Sequence, residues 1–190
     1  MPADQPPFSH TEGREGCAEG HEKVLFQGSR FRIHQVRARL ADGSPIEKQI
    51  IRHPGAVVIL PLLDDERVVM IQNYRYSVAQ TLLELPAGTR EAGEPPAETA
   101  ARELAEETGY QAGQLEFVQS FFAAPGICDE ELFLFIARDL RPSAPRREVG
   151  EQIENAILSW QQIVEKIDGG HIRDAKTLVG LMHGLRRRLH

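Results

Sequence analysis

One stretch of this chain, residues 88–109, constrains its fold and its chemistry more than any other. Its fixed residues follow the spacing G-x5-E-x7-R-E-L-x-E-E-x-G. Two prolines suit a first helical turn and the final glycine suits a helix C-terminus, so the sequence predicts a helix over about 95–108. On that helix Glu103 and Glu107 lie one turn apart, and Glu106 lies three residues after Glu103. Three carboxylates therefore share one edge of a single helix.

This acidic edge is a candidate metal site. Like charges at such spacing repel each other by roughly 0.2–0.5 kcal/mol per pair, and a hard divalent cation turns that repulsion into coordination. Most acidic helix faces are simply exposed to solvent, so an E-x-x-E-E motif alone would be weak evidence for a metal site. The full spacing decides more, because its eight fixed residues are matched by chance in fewer than roughly one such chain in a million.

The whole stretch resembles the Nudix box, the signature of the Nudix hydrolases. Tyr110 stands where that pattern prefers Ile, Leu or Val, which is a mild departure. The resemblance implies an α/β/α sandwich with a mixed sheet and hydrolysis of a nucleoside diphosphate joined to another group. It also implies Mg²⁺ as the cofactor, with Mn²⁺ as an alternative, held by Glu103, Glu106 and Glu107.

Four further motifs resemble those of the ADP-ribose pyrophosphatases within that family. They are H-P-G-A-V followed by Q-N-Y-R, then E-L-P-A-G, A-P-G-I-C-D-E and G-H-I-R-D-A-K-T, and together with the box they cover about residues 46–185. The resemblance implies that ADP-ribose is split into AMP and ribose 5-phosphate, and that the Ala87 carbonyl is a further metal ligand. We assign the last motif to structure rather than to catalysis.

The same resemblance implies a set of substrate-binding residues: Arg52, Arg75, Pro125, Gly126 and Glu130. For Pro125 the alternative is an ordinary Pro-Gly turn, and for Arg75 it is an exposed arginine at a strand end. Lys48 and Gln49 stand where many relatives have Arg-Glu, which leaves the adenine contact open.

The catalytic residues implied by the resemblance lie in two places. Arg102 is expected to orient the box by pairing with Glu94 or Glu98, and Glu106 to share metal ligation. The general base of the subfamily is a Glu on a loop outside the box. Here we favour Glu151, which would also contact metal, with Glu148 as the next choice.

Composition narrows the class of protein. The chain has 190 residues, a formal net charge of −6 and 41% hydrophobic residues, which predicts one globular domain with its own core. The acidic balance disfavours nucleic-acid binding, and no apolar run approaches the ~20 residues of a membrane span. The polar first 20 residues contain no secretory signal. We therefore expect a cytoplasmic protein without membrane or nucleic-acid partners.

The strand and turn patterns predict three segments along the chain. They are a flexible tail over 1–22, a small antiparallel sheet over 23–52 and a mixed α/β domain over 53–190. The resemblance implies that the sheet is a dimerisation arm and that the last segment is the Nudix domain. The resemblance implies a homodimer. Within the domain we expect a buried strand over 56–63 with 67–74 as its hairpin partner, and further strands at 81–85, 115–122, 131–136 and 153–158.

Helices are predicted at 159–167, opened by a capping box of Ser159 and Gln162, and after Asp174 as a cap. The expected inward face of the box helix is Ala97, Ala100, Ala101, Leu104 and Thr108. That of the last helix is Leu178, Leu181, Met182, Leu185 and Leu189.

Two other functions stay open. One is a Nudix hydrolase of another nucleoside diphosphate sugar, such as GDP-mannose, since the box handles only the diphosphate. The other is a non-catalytic Nudix domain that senses ADP-ribose. Activity measured on a panel of substrates would identify the first alternative. Binding of ADP-ribose without metal-dependent turnover would favour the second.

Overall fold

The computed structural model describes residues 22–144 and 153–188. The chain divides into two compact units between Arg52 and His53. The first unit contains an antiparallel sheet in the order β1-β2-β3, which confirms the predicted N-terminal sheet. Its strands are β1 (Lys23–Gln27), β2 (Arg32–Arg39) and β3 (Pro45–Arg52).

The sheet of the first unit buries little apolar surface. Among its described residues only Val36 is buried, and Phe26 packs against Phe31 with ring centroids 5.9 Å apart. The large apolar side chains that stay exposed are Val24, Leu25, Phe26, Phe31 and Leu40. A three-stranded sheet is stable by itself only with a hydrophobic face or packing against another element, and Val36 alone supplies little buried apolar area among the described residues of this unit.

The second unit holds two sheets and three helices in its described part. One sheet has the order β7-β4-β9-β8, in which β4 and β9 are parallel and the other pairs antiparallel. The other has the order β10-β5-β6 and is antiparallel. The elements are β4 (Ala56–Pro61), β5 (Arg67–Arg75), β6 (Gln80–Glu84), β7 (Ala87–Thr89), α1 (Pro96–Thr108), β8 (Tyr110–Phe122), β9 (Glu131–Pro142), β10 (Ile153–Ser159), α2 (Trp160–Asp168) and α3 (Ala175–Arg188).

The central strand β4 shows why the fold is layered. All of its residues are buried, as its continuous apolar run predicts. Successive side chains point to opposite faces of a sheet. Val57 and Ile59 pack with Leu104 of α1, whereas Val58 packs in the core that includes Leu181 of α3. The mixed sheet therefore lies between helices, and the predicted α/β/α class is confirmed.

The predicted hairpin of β4 with β5 is wrong. The two strands are joined by a single bridge between Leu62 and Val68, and β5 pairs along its length with β6 and β10. The turn-forming residues 64–66 correctly predicted a chain reversal. Both edges of β4 are already bonded to β7 and β9, so the returning strand joins a second sheet.

The inward face of α1 differs from the predicted one. Ala97 and Ala101 are exposed, whereas Thr99 and Glu107 are buried beside Leu104. The buried carboxylate shows that the acidic edge and the packed face of this helix overlap.

In α3 the predicted Met182 is 55% exposed, and Gly180 and Gly184 are buried instead. A Cβ on Gly180 would lie 2.5 Å from Leu85 Cδ1, so the glycine allows the helix to approach the sheet closely. Leu189 lies outside the described residues.

Both predicted helix caps are present. Ser159 and Gln162 form the capping box of α2. At the start of α3, Asp174 Oδ2 accepts a hydrogen bond from the Thr177 N–H at 3.0 Å. No helix in the described part of the chain has the length and apolar character that a membrane span requires.

Candidate active site

The short strand β7 and helix α1 bring the glycine and the carboxylates of the 88–109 motif together. A Cβ on Gly88 would lie 1.9 Å from Glu103 Cδ and 2.0 Å from its Oε1, so the Glu103 carboxylate occupies the space that a side chain would fill. The glycine is required here because of this close approach.

Glu107 is fixed from the same strand. Its Oε2 accepts a hydrogen bond of 2.9 Å from the Ala87 N–H, and the residue is buried. A carboxylate that loses water needs such donors to stay ionised. The bond places the Glu107 carboxylate beside the Ala87 peptide, which is a predicted ligand.

A single guanidinium organises the remaining acids, and we call Arg102, Glu94, Glu103 and Glu106 the Arg102 cluster. Arg102 Nε and Nη2 donate to the two oxygens of Glu94, each at 3.0 Å. Its Nη1 donates to Glu103 at 2.7 Å and to Glu106 at 3.1 Å. The predicted pairing of Arg102 is therefore with Glu94.

The charges in this cluster shift two pKa values. The hydrogen bonds from Arg102 lower the pKa of Glu94 to about 2 against desolvation that raises it. The same bonds raise the pKa of Arg102. Arg102 therefore stays positively charged. Its guanidinium is used to orient the three acids and does not project into solvent as an unpaired cation.

The donor set fits a hard divalent cation. Glu103, Glu106 and Glu107 share one edge of α1, and one guanidinium cannot neutralise all of them together with Glu94. Among residues 22–144 and 153–188, however, no three His, Cys, Asp or Glu side chains already surround a common point that could hold a metal. The Glu103 and Glu106 oxygens bond to Arg102 and those of Glu107 to Ala87. Carboxylate and peptide oxygens are the ligands that Mg²⁺ takes.

The loop before α1 is held by Arg90. Its Nε and Nη2 donate to the Glu94 carbonyl at 3.2 and 2.8 Å, and its guanidinium carbon lies 5.2 Å from the centre of the Phe133 ring. The Arg90 N–H also donates to the Gly55 carbonyl at 3.0 Å. These contacts fix the backbone that presents Glu94 to Arg102.

Arg75 ends β5 and is paired with a buried acid. Its Nε and Nη2 donate to Glu84 Oε1 and Oε2 at 2.9 and 2.6 Å, and the Glu84 side chain is 1% exposed. These bonds raise the pKa of Arg75 against the opposing effect of burial. The Arg75 side chain itself is 36% exposed, so its position combines a structural pair with access to solvent.

The loop between β8 and β9 carries three predicted substrate residues. Pro125 and Gly126 are exposed, and Glu130 Oε1 lies 3.5 Å from His53 Nδ1. The His53 N–H donates to Asp129 Oδ1 at 2.9 Å. The base of this loop is therefore attached to the residue that precedes β4.

Known proteins resemble this chain over the segment that contains these residues. The Nudix domain family matches residues 52–179, which is most of the chain. The chain belongs to the Nudix family. The ADP-ribose pyrophosphatase of Bacillus subtilis (strain 168) is 32% identical over 164 residues, covering 85% of this chain and 89% of that protein. The methanol dehydrogenase activator of Bacillus methanolicus is also 32% identical, over 161 residues that cover 84% of this chain and 87% of that protein.

A solved structure shares the Nudix fold with this chain. It is described as the crystal structure of an ADP compounds hydrolase and superposes with a TM-score of 0.76 at 21% identity. The superposition covers 90% of this chain and 94% of the other.

Three predicted site residues lie outside the described part of the second unit. Arg52 belongs to the first unit, where it pairs with Glu22. Glu148 and Glu151 lie outside the described residues, so the choice of general base stays a prediction.

Sequence reasoning missed the roles of Arg90, Glu84, Lys176 and Thr177. Glu84 and Lys176 belong to motifs that the sequence analysis recognised. Those motifs did not predict that the two residues form an ion pair with each other. The available signal was a charged residue next to the buried Leu85, because a charge at the end of a core strand requires an opposite charge nearby.

Proposed function

We propose that this protein is a Mg²⁺-dependent hydrolase that splits the diphosphate of ADP-ribose into AMP and ribose 5-phosphate. The observation that carries the proposal is the Arg102 cluster, in which a single cation holds three carboxylates on the Nudix box. The similarity to an ADP-ribose pyrophosphatase supports this substrate.

The metal would be held by Glu103, Glu106 and Glu107 with the Ala87 carbonyl, and Glu151 would add a ligand. Mg²⁺ held by these residues would supply Lewis-acid charge for the diphosphate and would activate water for attack. Arg102 donates hydrogen bonds to Glu103 and Glu106 and so orients both carboxylates before the substrate arrives. Preorganised charges of this kind need no reorganisation during the reaction.

Substrate contacts are proposed for residues on both sides of the box. Arg75 supplies positive charge for an anionic substrate, and its pairing with Glu84 limits its side-chain freedom. Pro125, Gly126 and Glu130 supply a loop that is fastened through His53. Arg52, which pairs with Glu22, is proposed as a further substrate contact.

The general base is proposed to be Glu151, with Glu148 as the alternative. A carboxylate within reach of the attacking water removes its proton in the transition state, which contributes about 10²–10⁴ in rate. We expect Glu151→Gln to lower kcat by about 10²–10⁴ with the fold intact. Turnover near that of the wild type would move the assignment to Glu148, which Glu148→Gln then tests.

A homodimer is proposed from the exposed apolar face of the first unit, residues 23–52. A second copy of the chain would cover Val24, Leu25 and Phe26, which the described residues leave exposed. Light scattering after size exclusion measures the mass, and Phe26→Asp should shift a dimer toward the monomer. A cytoplasmic location and the tail over 1–22 stay predictions from the sequence.

The proposed reaction is tested with purified protein and a panel of ADP-ribose, GDP-mannose and other nucleoside diphosphate sugars. Phosphorus NMR with Mg²⁺ should show AMP and ribose 5-phosphate from ADP-ribose, and excess chelator should stop the reaction. Preferential cleavage of GDP-mannose would change the substrate, and binding of ADP-ribose without turnover would indicate a sensor. Glu98→Gln on the same helix serves as the matched control, since Glu98 is exposed and outside the Arg102 cluster.

A further inference from the structure

A cluster of charged and polar side chains surrounds the buried Glu84 carboxylate, beside the segment that leads into the proposed metal site. We call it the Glu84 cluster, and its members are Arg75, Glu84, Asp174, Lys176 and Thr177. Glu84 ends β6, whereas Asp174 to Thr177 form the start of α3. The cluster therefore joins the strand before the Nudix box to the first turn of the last helix.

Glu84 is the centre of this cluster. Its Oε2 accepts from Lys176 Nζ at 2.7 Å as well as from Arg75, and Lys176 Nζ also lies 2.9 Å from Asp174 Oδ2. Two cations thus face two carboxylates. A buried carboxylate is stable only when its charge is compensated, so Glu84 cannot leave this position without cost.

Thr177 fastens the next residue along the same strand. Its hydroxyl proton goes to Asp174 Oδ2 at 2.6 Å, which leaves the oxygen lone pairs free to accept the Leu85 N–H at 2.8 Å. A hydroxyl has one proton, so the donor role toward Asp174 fixes the acceptor role toward Leu85. Leu85 and Thr177 are both fully buried, and water does not replace either bond.

The segment held in this way continues directly into the metal ligands. Pro86 follows Leu85, and its carbonyl accepts from the Ile59 N–H at 2.9 Å. Ala87 then donates to Glu107, and Gly88 lies against the Glu103 carboxylate. With at most ~3.6 Å of chain per residue, a shift at Leu85 reaches the Ala87 peptide with little slack.

We propose that Lys176 and Thr177 are positioning residues for the metal site, because they lock residues 84–88 so that the Ala87 peptide meets Glu107 and Gly88 meets Glu103. The inference rests on the proposed metal-dependent function, since the residues it positions are the proposed ligands. Neither residue touches the substrate or the metal in this scheme.

The test compares Thr177→Val, which replaces the hydroxyl with a methyl group, and Thr177→Ser, which keeps the hydroxyl. The matched control is Ser159→Ala, which removes a helix cap of the same kind at α2, away from residues 84–88. Mn²⁺ affinity is measured by electron paramagnetic resonance, and exchange of the Ala87 amide by NMR. A change that only destabilises the fold would affect Thr177→Val and Ser159→Ala alike.

We expect Thr177→Val to weaken Mn²⁺ binding by about tenfold and to speed exchange of the Ala87 amide by a similar factor. Thr177→Ser and Ser159→Ala should stay within about twofold of the wild type in both measurements. Mn²⁺ binding by Thr177→Val within twofold of the wild type, or equal weakening by Ser159→Ala, would overturn the inference.

Two further comparisons allow the experiment to support or contradict the inference whichever result is obtained. If Thr177→Val does not fold, Lys176→Met with Lys176→Arg as its conservative partner makes the same comparison through Glu84. If the wild type binds Mn²⁺ but splits no nucleoside diphosphate sugar, the proposed reaction fails and the positioning role is judged on Mn²⁺ affinity alone. If the wild type is active and Thr177→Val binds Mn²⁺ normally, only the positioning role fails.

Discussion

The Arg102 cluster and the Glu84 cluster use the same kinds of side chain in different proportions. In the Arg102 cluster one guanidinium faces three carboxylates, and the Glu106 side chain is 30% exposed. In the Glu84 cluster two cations face two carboxylates, and the central carboxylate is almost fully buried. The first group carries an excess of negative charge, whereas the second is balanced around a buried carboxylate.

The difference separates a binding site from a structural joint. A surplus of carboxylates at the surface gains free energy when a cation arrives, because repulsion is replaced by coordination. A balanced buried set gains nothing from a further ion and loses much when one member is removed. Removing a charge should therefore damage activity in the first cluster and stability in the second.

The largest effect on stability is expected from Glu84→Gln. The change removes the buried carboxylate that pairs with both Arg75 and Lys176, and of these two cations only Lys176 keeps an acidic partner, Asp174, so the free energy of unfolding should fall by about 3 kcal/mol or more. Urea unfolding of the metal-free protein measures it. The control is Glu116→Gln, whose exposed pair with Arg187 is worth at most about 1 kcal/mol. A loss at Glu84 as small as the control's would remove the distinction between the clusters.

Glu106→Gln should have the opposite profile. We expect kcat for ADP-ribose to fall by about a hundredfold or more, because a proposed ligand of the metal loses its charge. The melting temperature of the metal-free protein should not fall, since a like-charge repulsion is removed along with one partly exposed ion pair. Calorimetry and steady-state kinetics on Glu106→Gln and Glu98→Gln check both halves. Full activity with a lowered melting temperature would reverse the assignment.

Gly88→Ala tests, by a change beside the backbone of β7, whether activity can be lowered without a loss of stability. The added Cβ displaces only the flexible end of Glu103, so unfolding should change by less than about 1 kcal/mol while Mg²⁺ affinity falls by about tenfold. Titration of activity with Mg²⁺ gives the affinity. Glu103→Gln combined with Gly88→Ala should be no worse than Glu103→Gln alone, because both changes act on one contact. Additive losses would mean that Gly88 acts elsewhere.

The smallest effect concerns pH. Hydrogen bonds from Arg102 lower the pKa of Glu94 from 4.5 to about 2, so its contribution to stability is complete above pH 4.5 and is lost as the pH falls toward 2. The difference in unfolding free energy between the wild type and Glu94→Gln should therefore shrink over that interval. Urea unfolding at pH 5, 4 and 3 measures it, and a constant difference would show that Glu94 is not held by Arg102.

Local signals explain what the sequence predicted well. The capping residues of α2 and α3 and the glycine at the end of α1 mark those helices within a residue or two. The spacing of the box placed the carboxylates on one edge of α1 because helical geometry depends only on separation along the chain. The continuous apolar run of β4 likewise predicted that both of its faces are buried.

The predictions that were wrong depended on contacts between distant residues. Glu107 was not expected on the inward face of α1, but it is buried, and β7 brings the Ala87 N–H to it. The strand at Arg67 was expected to pair with β4, whose edges are taken by β7 and by β9, some 75 residues later. Glu84 gains its role from Lys176, which lies 92 positions away. A local sequence pattern does not encode contacts between residues that are so far apart along the chain.

The hydrogen bond between Leu85 and Thr177 has a consequence for synthesis, because its two residues are 92 positions apart. A ribosome that adds about 5–20 residues per second needs roughly 5–18 seconds to travel from one to the other. For that interval the nascent chain carries the acidic helix complete, while the hydroxyl that Leu85 binds has not yet been made. Translation speed thus sets the earliest moment at which the strand before that helix can be anchored.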